Sequence, residues 1–180
     1  ENAGIAVNER GAIVVDKQLH TTADNIWAMG DVTGGLQFTY ISLDDYRIVR
    51  DELLGEGKRS TDDRKNVPYS VFMTPPLSRV GMTEEQARES GADIQVVTLP
   101  VAAIPRARVM NDTRGVLKAI VDNKTQRMLG ASLLCVDSHE MINIVKMVMD
   151  AGLPYSILRD QIFTHPSMSE SLNDLFSLVK

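Results

Sequence analysis

Twelve consecutive residues, Gly55 to Asn66 (GEGKRSTDDRKN), carry no aliphatic, aromatic or sulfur-bearing side chain. A stretch with nothing apolar to bury cannot run through a hydrophobic core, so it must lie on a surface or between two cores. It cuts the chain of 180 residues unevenly and leaves a C-terminal part long enough for a core of its own. The stretch superficially resembles a phosphate loop. That loop needs a Gly five residues before Gly57, where the chain has Glu52, and a Ser or Thr after Lys58, where it has Arg59. Residues 58–66 therefore read as a linker between a segment 1–57 and a domain 67–180.

The N-terminal segment has α/β punctuation. Ala12 to Asp16 and Ile26 to Met29 read as short strands. Tyr40 to Leu54 reads as a helix with Ile41, Ile48, Val49 and Leu53 on one face and Gly55 as its C-cap. The C-terminal part alternates differently. Tyr69 to Met73 and Leu77 to Val80 read as strands around Thr74-Pro75-Pro76. Thr83-Glu84-Glu85-Gln86 is a capping box that opens a short helix ending near Gly91. Ile94 to Leu99 is a β-branched strand, and Gly115 to Asp122 pairs with Arg127 to Cys135 as a hairpin. A Met-rich helix spans His139 to Ala151, and a last helix spans Ser167 to Val179. Strands followed by helices predict an α+β layer with an antiparallel sheet. Met141, Ile142, Val145 and Met149 cover much of the Met-rich helix, whose apolar surface exceeds what one small domain buries. A homodimer is the expected way to cover the excess.

Charge and cysteine usage narrow the function classes. The net charge of −5 and the lack of a basic tract with interleaved aromatics argue against nucleic acid as a partner. The single cysteine, Cys135, excludes an intrachain disulfide framework and suits a reducing compartment. No signal-peptide pattern or apolar run of spanning length is present, which predicts a cytoplasmic protein with no membrane partner. The chain begins at Glu1 and not at Met, and is read as a piece of a longer protein. No metal site is expected. His139-Glu140 lacks the second His of a zincin helix, position 143 being Asn143, and His20, Cys135 and His139 have no recognised ligand spacing.

Two clusters carry candidate chemistry. In Thr21 to Gly35 (TTADNIWAMGDVTGG) the apolar run Ile26 to Met29 ends at Gly30-Asp31. A carboxylate at the end of a strand can accept hydrogen bonds from ligand hydroxyls, or it can merely brace a turn. In Thr164 to Leu172 (THPSMSESL), His165 precedes a Pro and Ser167-x-x-Glu170 has capping-box spacing. Glu170 could cap a helix, or it could hold His165 in one tautomer for acid–base work.

These segments resemble the pyridine nucleotide–disulfide oxidoreductases of class I. Thr22, Ile26, Trp27, Ala28, Gly30 and Asp31 match that family's second flavin-contacting motif, T-x-x-x-I-[WYF]-A-x-G-D. Pro68 to Ala87 is similar to the opening of its dimerisation domain, and the His165 segment to its C-terminal His-Pro-Thr-x-x-Glu signature, with Ser167 in place of Thr. The three segments arrive in the family's order. The resemblance implies the end of an FAD-binding domain in residues 1–57, followed by the dimerisation domain. It implies a C-terminal part of an NAD(P)H-dependent FAD enzyme reducing a disulfide or a metal ion, with a role in oxidative stress. The chain alone is expected to be inactive and to lack FAD and NAD(P)H, because the Gly-rich loops and redox cysteines lie upstream in the family.

Residue by residue, the resemblance assigns Gly30 and Asp31 to the flavin's ribityl chain. It assigns Thr39 to a helix N-terminus facing the flavin ring, with Phe38 beside it. Gln37 and Phe38 depart from better-known members. It assigns His165 and Glu170 to the partner subunit's active site as an acid–base pair, and it implies cis peptides at Thr74-Pro75 and His165-Pro166. The competing reading is a self-standing, non-catalytic homodimerisation module.

Overall fold

The computed structural model describes residues 3–180. The chain forms two compact units, residues 1–65 and 66–180.

The first unit is organised by one helix, α1 (Thr39–Leu54). Its buried face is Ile41, Asp45 and Ile48, spaced i, i+4, i+7 as an inward stripe requires. Leu19 and Ala28 complete the small core, whereas Leu53 is exposed. The strands expected at residues 12–16 and 26–29 do not form ladders. Each contributes one isolated bridge, Val7 to Ile13 and His20 to Trp27. A strand is stable only when a neighbour takes up its alternate N–H and C=O groups, and each segment meets a single bridging residue within the unit. Backbone carbonyls outside any ladder take several of their N–H groups, Val32 for Ile13, Ala6 for Val14 and Leu19 for Ala28. Thr22 Oγ1 takes the Ala6 N–H at 2.8 Å, and Asn8 and Asp16 close their own turns.

Past α1, residues 58–65 are held against the helix. The Asp51 carboxylate accepts the N–H groups of Lys58 at 2.8 Å and Arg59 at 3.0 Å. Those bonds, that of Arg59 foremost, keep its pKa below the usual carboxylate value. Ser60 and Asp63 close a capping box. Arg59 and Arg64 reach back to Asp44 at 2.8 Å each. The boundary between the units falls after Lys65.

The second unit is a five-stranded antiparallel sheet with helices on its buried face, as the α+β reading expects. The strands are β1 (Tyr69–Val71), β2 (Leu77–Gly81), β3 (Ile94–Pro100), β4 (Val116–Asp122) and β5 (Met128–Leu134), in spatial order β1-β2-β5-β4-β3. The β4–β5 hairpin forms where the alternation places it, with a register shift at Ile120/Val121. Gly130 is required there, because a Cβ would lie 2.1 Å from the Met82 carbonyl oxygen. Helix α2 (Glu84–Glu89) opens with the expected capping box of Thr83 and Gln86.

Three helices cover the sheet: α4 (Ser138–Asp150) on β2 and β5, α6 (Ser171–Ser177) on β3 and β4, and α5 (Ser156–Asp160) against α6. The short helices α3 (Pro105–Val109) and α5 were not legible in the sequence, since five residues give too short a period to detect. α6 starts four residues later than the pattern suggests. The turn before it hands the Met168 carbonyl to the Ser171 N–H at 3.1 Å.

The sheet absorbs most of the apolar surface of α4, burying Met141, Ile142, Val145 and Val148 and leaving Met147 exposed. The apolar excess of this unit lies elsewhere, at Val71, the last residue of the edge strand, at Phe72 and Met73 just after it, and at Ile162, which is 93% exposed.

Cys135 follows β5 inside this core, with its Sγ 3.8 Å from Met141 Sδ. Burial, reinforced by the charges of Asp137 and Asp112, pushes its thiol up to about 12. At pH 8 only about one thiol in 10⁴ is then ionised. Cys135 should therefore be inert to a disulfide reagent at pH 8 in the folded chain and react fully in urea, which a colorimetric thiol titration reads directly. Phe176 is wholly buried and stacks on Tyr155 at 6.1 Å. Phe176→Ala should cost about 3–5 kcal/mol in urea unfolding. Met147→Ala should stay within about 0.5 kcal/mol.

Candidate functional site

The first cluster is assembled by the loop between α5 and α6. The side-chain amide of Asn173, on α6, donates to the carbonyls of Leu158 at 2.8 Å, Arg159 at 3.1 Å and Gln161 at 2.9 Å. One side chain thus ties down the segment that leads to His165. The His165-Pro166 bond is cis, as is Thr74-Pro75, both as the resemblance implies.

Ser167 and Glu170 then settle a competition. The Glu170 N–H donates to Ser167 Oγ at 3.2 Å, which is one half of a capping box. The other half is absent, because the Glu170 carboxylate turns to His165, whose Nδ1 lies 2.8 Å from Oε2 and 3.0 Å from Oε1. Beside a carboxylate, Nδ1 carries the proton, and Nε2 presents its lone pair outward. His165 keeps 66% of its side chain exposed and Glu170 keeps 31%. The arrangement is an exposed imidazole held at Nδ1 by a carboxylate.

The second cluster lies in the first unit. Residues Gly30–Thr33 form one turn of 3-10 helix against α1. Gly30 has φ 77°, a left-handed conformation that favours Gly, and a Cβ there would lie 3.0 Å from Ser42 Oγ. Asp31 is exposed. The N-cap of α1, Phe38, offers no side-chain acceptor to the first turn, which begins at Thr39. The Phe38 and Tyr40 rings stack at 5.0 Å, 8° from parallel. An exposed carboxylate in a turn packed on α1, whose N-cap side chain makes no hydrogen bond to the first turn, suits a ligand with hydroxyls at one end and a polar, electron-rich edge at the other. The ribityl chain and ring of a flavin have those features, and the residues present fit them. Asp31 would hold the hydroxyls and the α1 terminus the ring edge.

Sequence reasoning missed two residues in this cluster. Asp45 is 1% exposed, and its Oδ2 accepts the Gly30 N–H at 2.7 Å. Its Oδ1 pairs with Arg64. The available signal was a carboxylate breaking the apolar stripe between Ile41 and Ile48. Among the described residues no group of three or more His, Cys, Asp or Glu is placed to hold an ion. No described helix is long and apolar enough to cross a membrane.

Comparison with known proteins follows the same division. Residues 67–176 match the model "Pyridine nucleotide-disulphide oxidoreductase, dimerisation domain", and residues 1–45 match "Pyridine nucleotide-disulphide oxidoreductase". The chain is 99% identical, over all of its length and 41% of the other's, to the Escherichia coli (strain K12) protein described as "Probable pyridine nucleotide-disulfide oxidoreductase RclA". It is 36% identical to a mercuric reductase of Staphylococcus aureus, over 96% of this chain and 31% of that one. A solved structure, the Cu(II) complex of the HOCl-induced flavoprotein disulfide reductase RclA from Escherichia coli, superposes with a TM-score of 0.99 at 99% identity. That match covers 99% of this chain and 41% of the other. The chain thus spans about two-fifths of the length of that Escherichia coli relative. With the motifs in family order, the antiparallel sheet in place and most of residues 67–180 matched, the chain belongs to the pyridine nucleotide-disulphide oxidoreductases and carries their dimerisation domain.

Proposed function

We propose that the chain is the C-terminal part of an NAD(P)H-dependent, FAD-containing reductase, in which residues 1–57 close the flavin domain and residues 67–180 make the homodimer. In that dimer His165 and Glu170 serve the partner subunit's active site. The observation that carries this reading is the turn of the Glu170 carboxylate from its helix cap to His165 Nδ1. A cap would have satisfied the local backbone, whereas this arrangement orients an exposed imidazole instead. The exposed Val71, Phe72, Met73 and Ile162 support a second copy as the surface that meets it.

When bound, FAD would supply the passage of reducing equivalents from NAD(P)H to the acceptor. The residues of this chain would manage protons. Thiol–disulfide exchange proceeds through the thiolate, so a proton must leave one sulfur and return to another. His165 Nε2 would accept that proton, and the Glu170 carboxylate would stabilise the imidazolium that forms. A reducing, cytoplasmic compartment suits such chemistry.

A metal ion is the alternative acceptor, favoured by the mercuric reductase relative and by the Cu(II) complex of the 99%-identical structure. Metal-ion reduction has less need of a proton acceptor at sulfur.

In the full-length protein, His165→Ala should leave flavin content and dimer mass unchanged and slow disulfide-linked NAD(P)H oxidation by about 10²–10⁴-fold. Glu170→Ala should slow it less, because the base remains but loses its orientation. Metal-ion reduction should fall less than either. Disulfide turnover at the wild-type rate in His165→Ala would overturn the acid–base role.

A further inference from the structure

The buried carboxylate of Asp45 is an expensive feature for a unit with so small a core. An ionised side chain at 1% exposure is tolerated only with partners, and an apolar residue of similar volume often packs at least as well. Its helical neighbours on the same face are Ile41 and Ile48, so Leu would fit the stripe. Asp45 does something there that Leu could not do. Its Oδ2 accepts the Gly30 N–H at 2.7 Å while Oδ1 pairs with Arg64.

Arg64 in turn donates from Nε to Asp44 Oδ2 at 2.8 Å, and Arg59 donates to Asp44 Oδ1 at 2.8 Å. Two carboxylates on α1 thus face two guanidinium groups from residues 59 and 64. Burial works against the charge of Arg64, but its bonds to Asp44 and Asp45 outweigh burial and raise its pKa.

The far side of the turn is braced as well. Thr33 Oγ1 donates to the Gly30 carbonyl at 2.9 Å, and the Gly34 N–H donates to the Asp31 carbonyl at 3.0 Å. The Ile13 N–H donates to the Val32 carbonyl at 2.9 Å. The backbone around Asp31 is therefore fixed by bonds to residues 30–34 and 13, and by one buried carboxylate fifteen positions along the chain. The Asp31 carboxylate itself points to solvent.

We propose that Asp45, locked by Arg64, is a positioning residue that holds the Gly30–Asp31 turn so that the Asp31 carboxylate meets the hydroxyls of the flavin. This inference rests on the reading of Asp31 as a flavin contact. Asp45 touches no ligand and acts through the Gly30 N–H.

The test uses the full-length protein, stripped of flavin and titrated with FAD, with the dissociation constant read from flavin fluorescence. Asp45→Ala/Arg64→Met removes the acceptor without stranding a buried charge, and should weaken FAD binding by about 10-fold. Asp45→Asn/Arg64→Met keeps an oxygen for the Gly30 N–H, and should bind within about threefold of wild type. Adding Asp31→Ala to Asp45→Ala/Arg64→Met should cost little beyond Asp31→Ala alone, because the two act through one contact.

Three results would each overturn the positioning role while leaving the flavin reading intact. They are wild-type affinity in Asp45→Ala/Arg64→Met, failure of Asn to rescue it, and losses that simply add to that of Asp31→Ala. Wild-type affinity in Asp31→Ala would instead remove the flavin reading on which the inference rests. If Asp45→Ala/Arg64→Met does not fold, Asp45→Ser/Arg64→Met replaces it in the same cycle, since Ser is too short to reach the Gly30 N–H.

Discussion

A buried backbone N–H needs an acceptor, and the two units meet that demand by different means. In residues 66–180 the ladders of five antiparallel strands supply acceptors in regular order, so side chains are free to pack. In residues 1–65 there is no ladder among the described residues, only isolated bridges. There, backbone carbonyls outside any ladder take many of the N–H groups, as Val32 does for Ile13 and Leu19 for Ala28, and side chains add others, Asp45 for Gly30, Asp51 for Arg59 and Thr22 for Ala6. The small apolar core of the first unit, Leu19, Ala28, Ile41 and Ile48, accordingly admits one buried carboxylate, Asp45.

The two candidate clusters share a logic. In each, a carboxylate forgoes its nearest local use and serves a residue that faces outward. Glu170 has a helix terminus one residue away and bonds to His165 instead. Asp45 lies in the middle of a helix and bonds to a turn fifteen residues earlier. Both choices place negative charge behind a functional group and leave that group's front open. Asn173 does comparable work without charge, gathering three carbonyls of the loop before His165. Such supporting residues decide how closely a site keeps its geometry, and they are far less visible in a motif than the residues they support.

Much of the second unit was legible in its sequence. The hairpin read at Gly115 to Asp122 and Arg127 to Cys135 forms with its strands at Val116–Asp122 and Met128–Leu134, and the Thr83 capping box, an equally local signal, appears where it was read. The Met-rich helix was legible too. How much of it would be covered was not, because burial depends on which strands lie beneath it. His165, Glu170, Gly30, Asp31, Phe38 and Thr39 were all named from motifs, which report chemistry kept together by spacing along the chain.

Other features required the tertiary structure. Whether Ile26 to Met29 makes a strand depends on a neighbour that no local pattern specifies, and here one bridge is all it finds. Whether Glu170 caps a helix or holds a histidine is a choice between two acceptable local partners, decided by where the loop after α5 places His165. Asp45 and Arg64 are nineteen residues apart and neither belongs to a motif. Sequence by itself determined the periodicities, the caps and the residue types able to do chemistry, because these follow from covalent neighbours. Only the fold decided which long-range partner each buried polar group would find, because that energy exists only once distant segments meet in a space that excludes water.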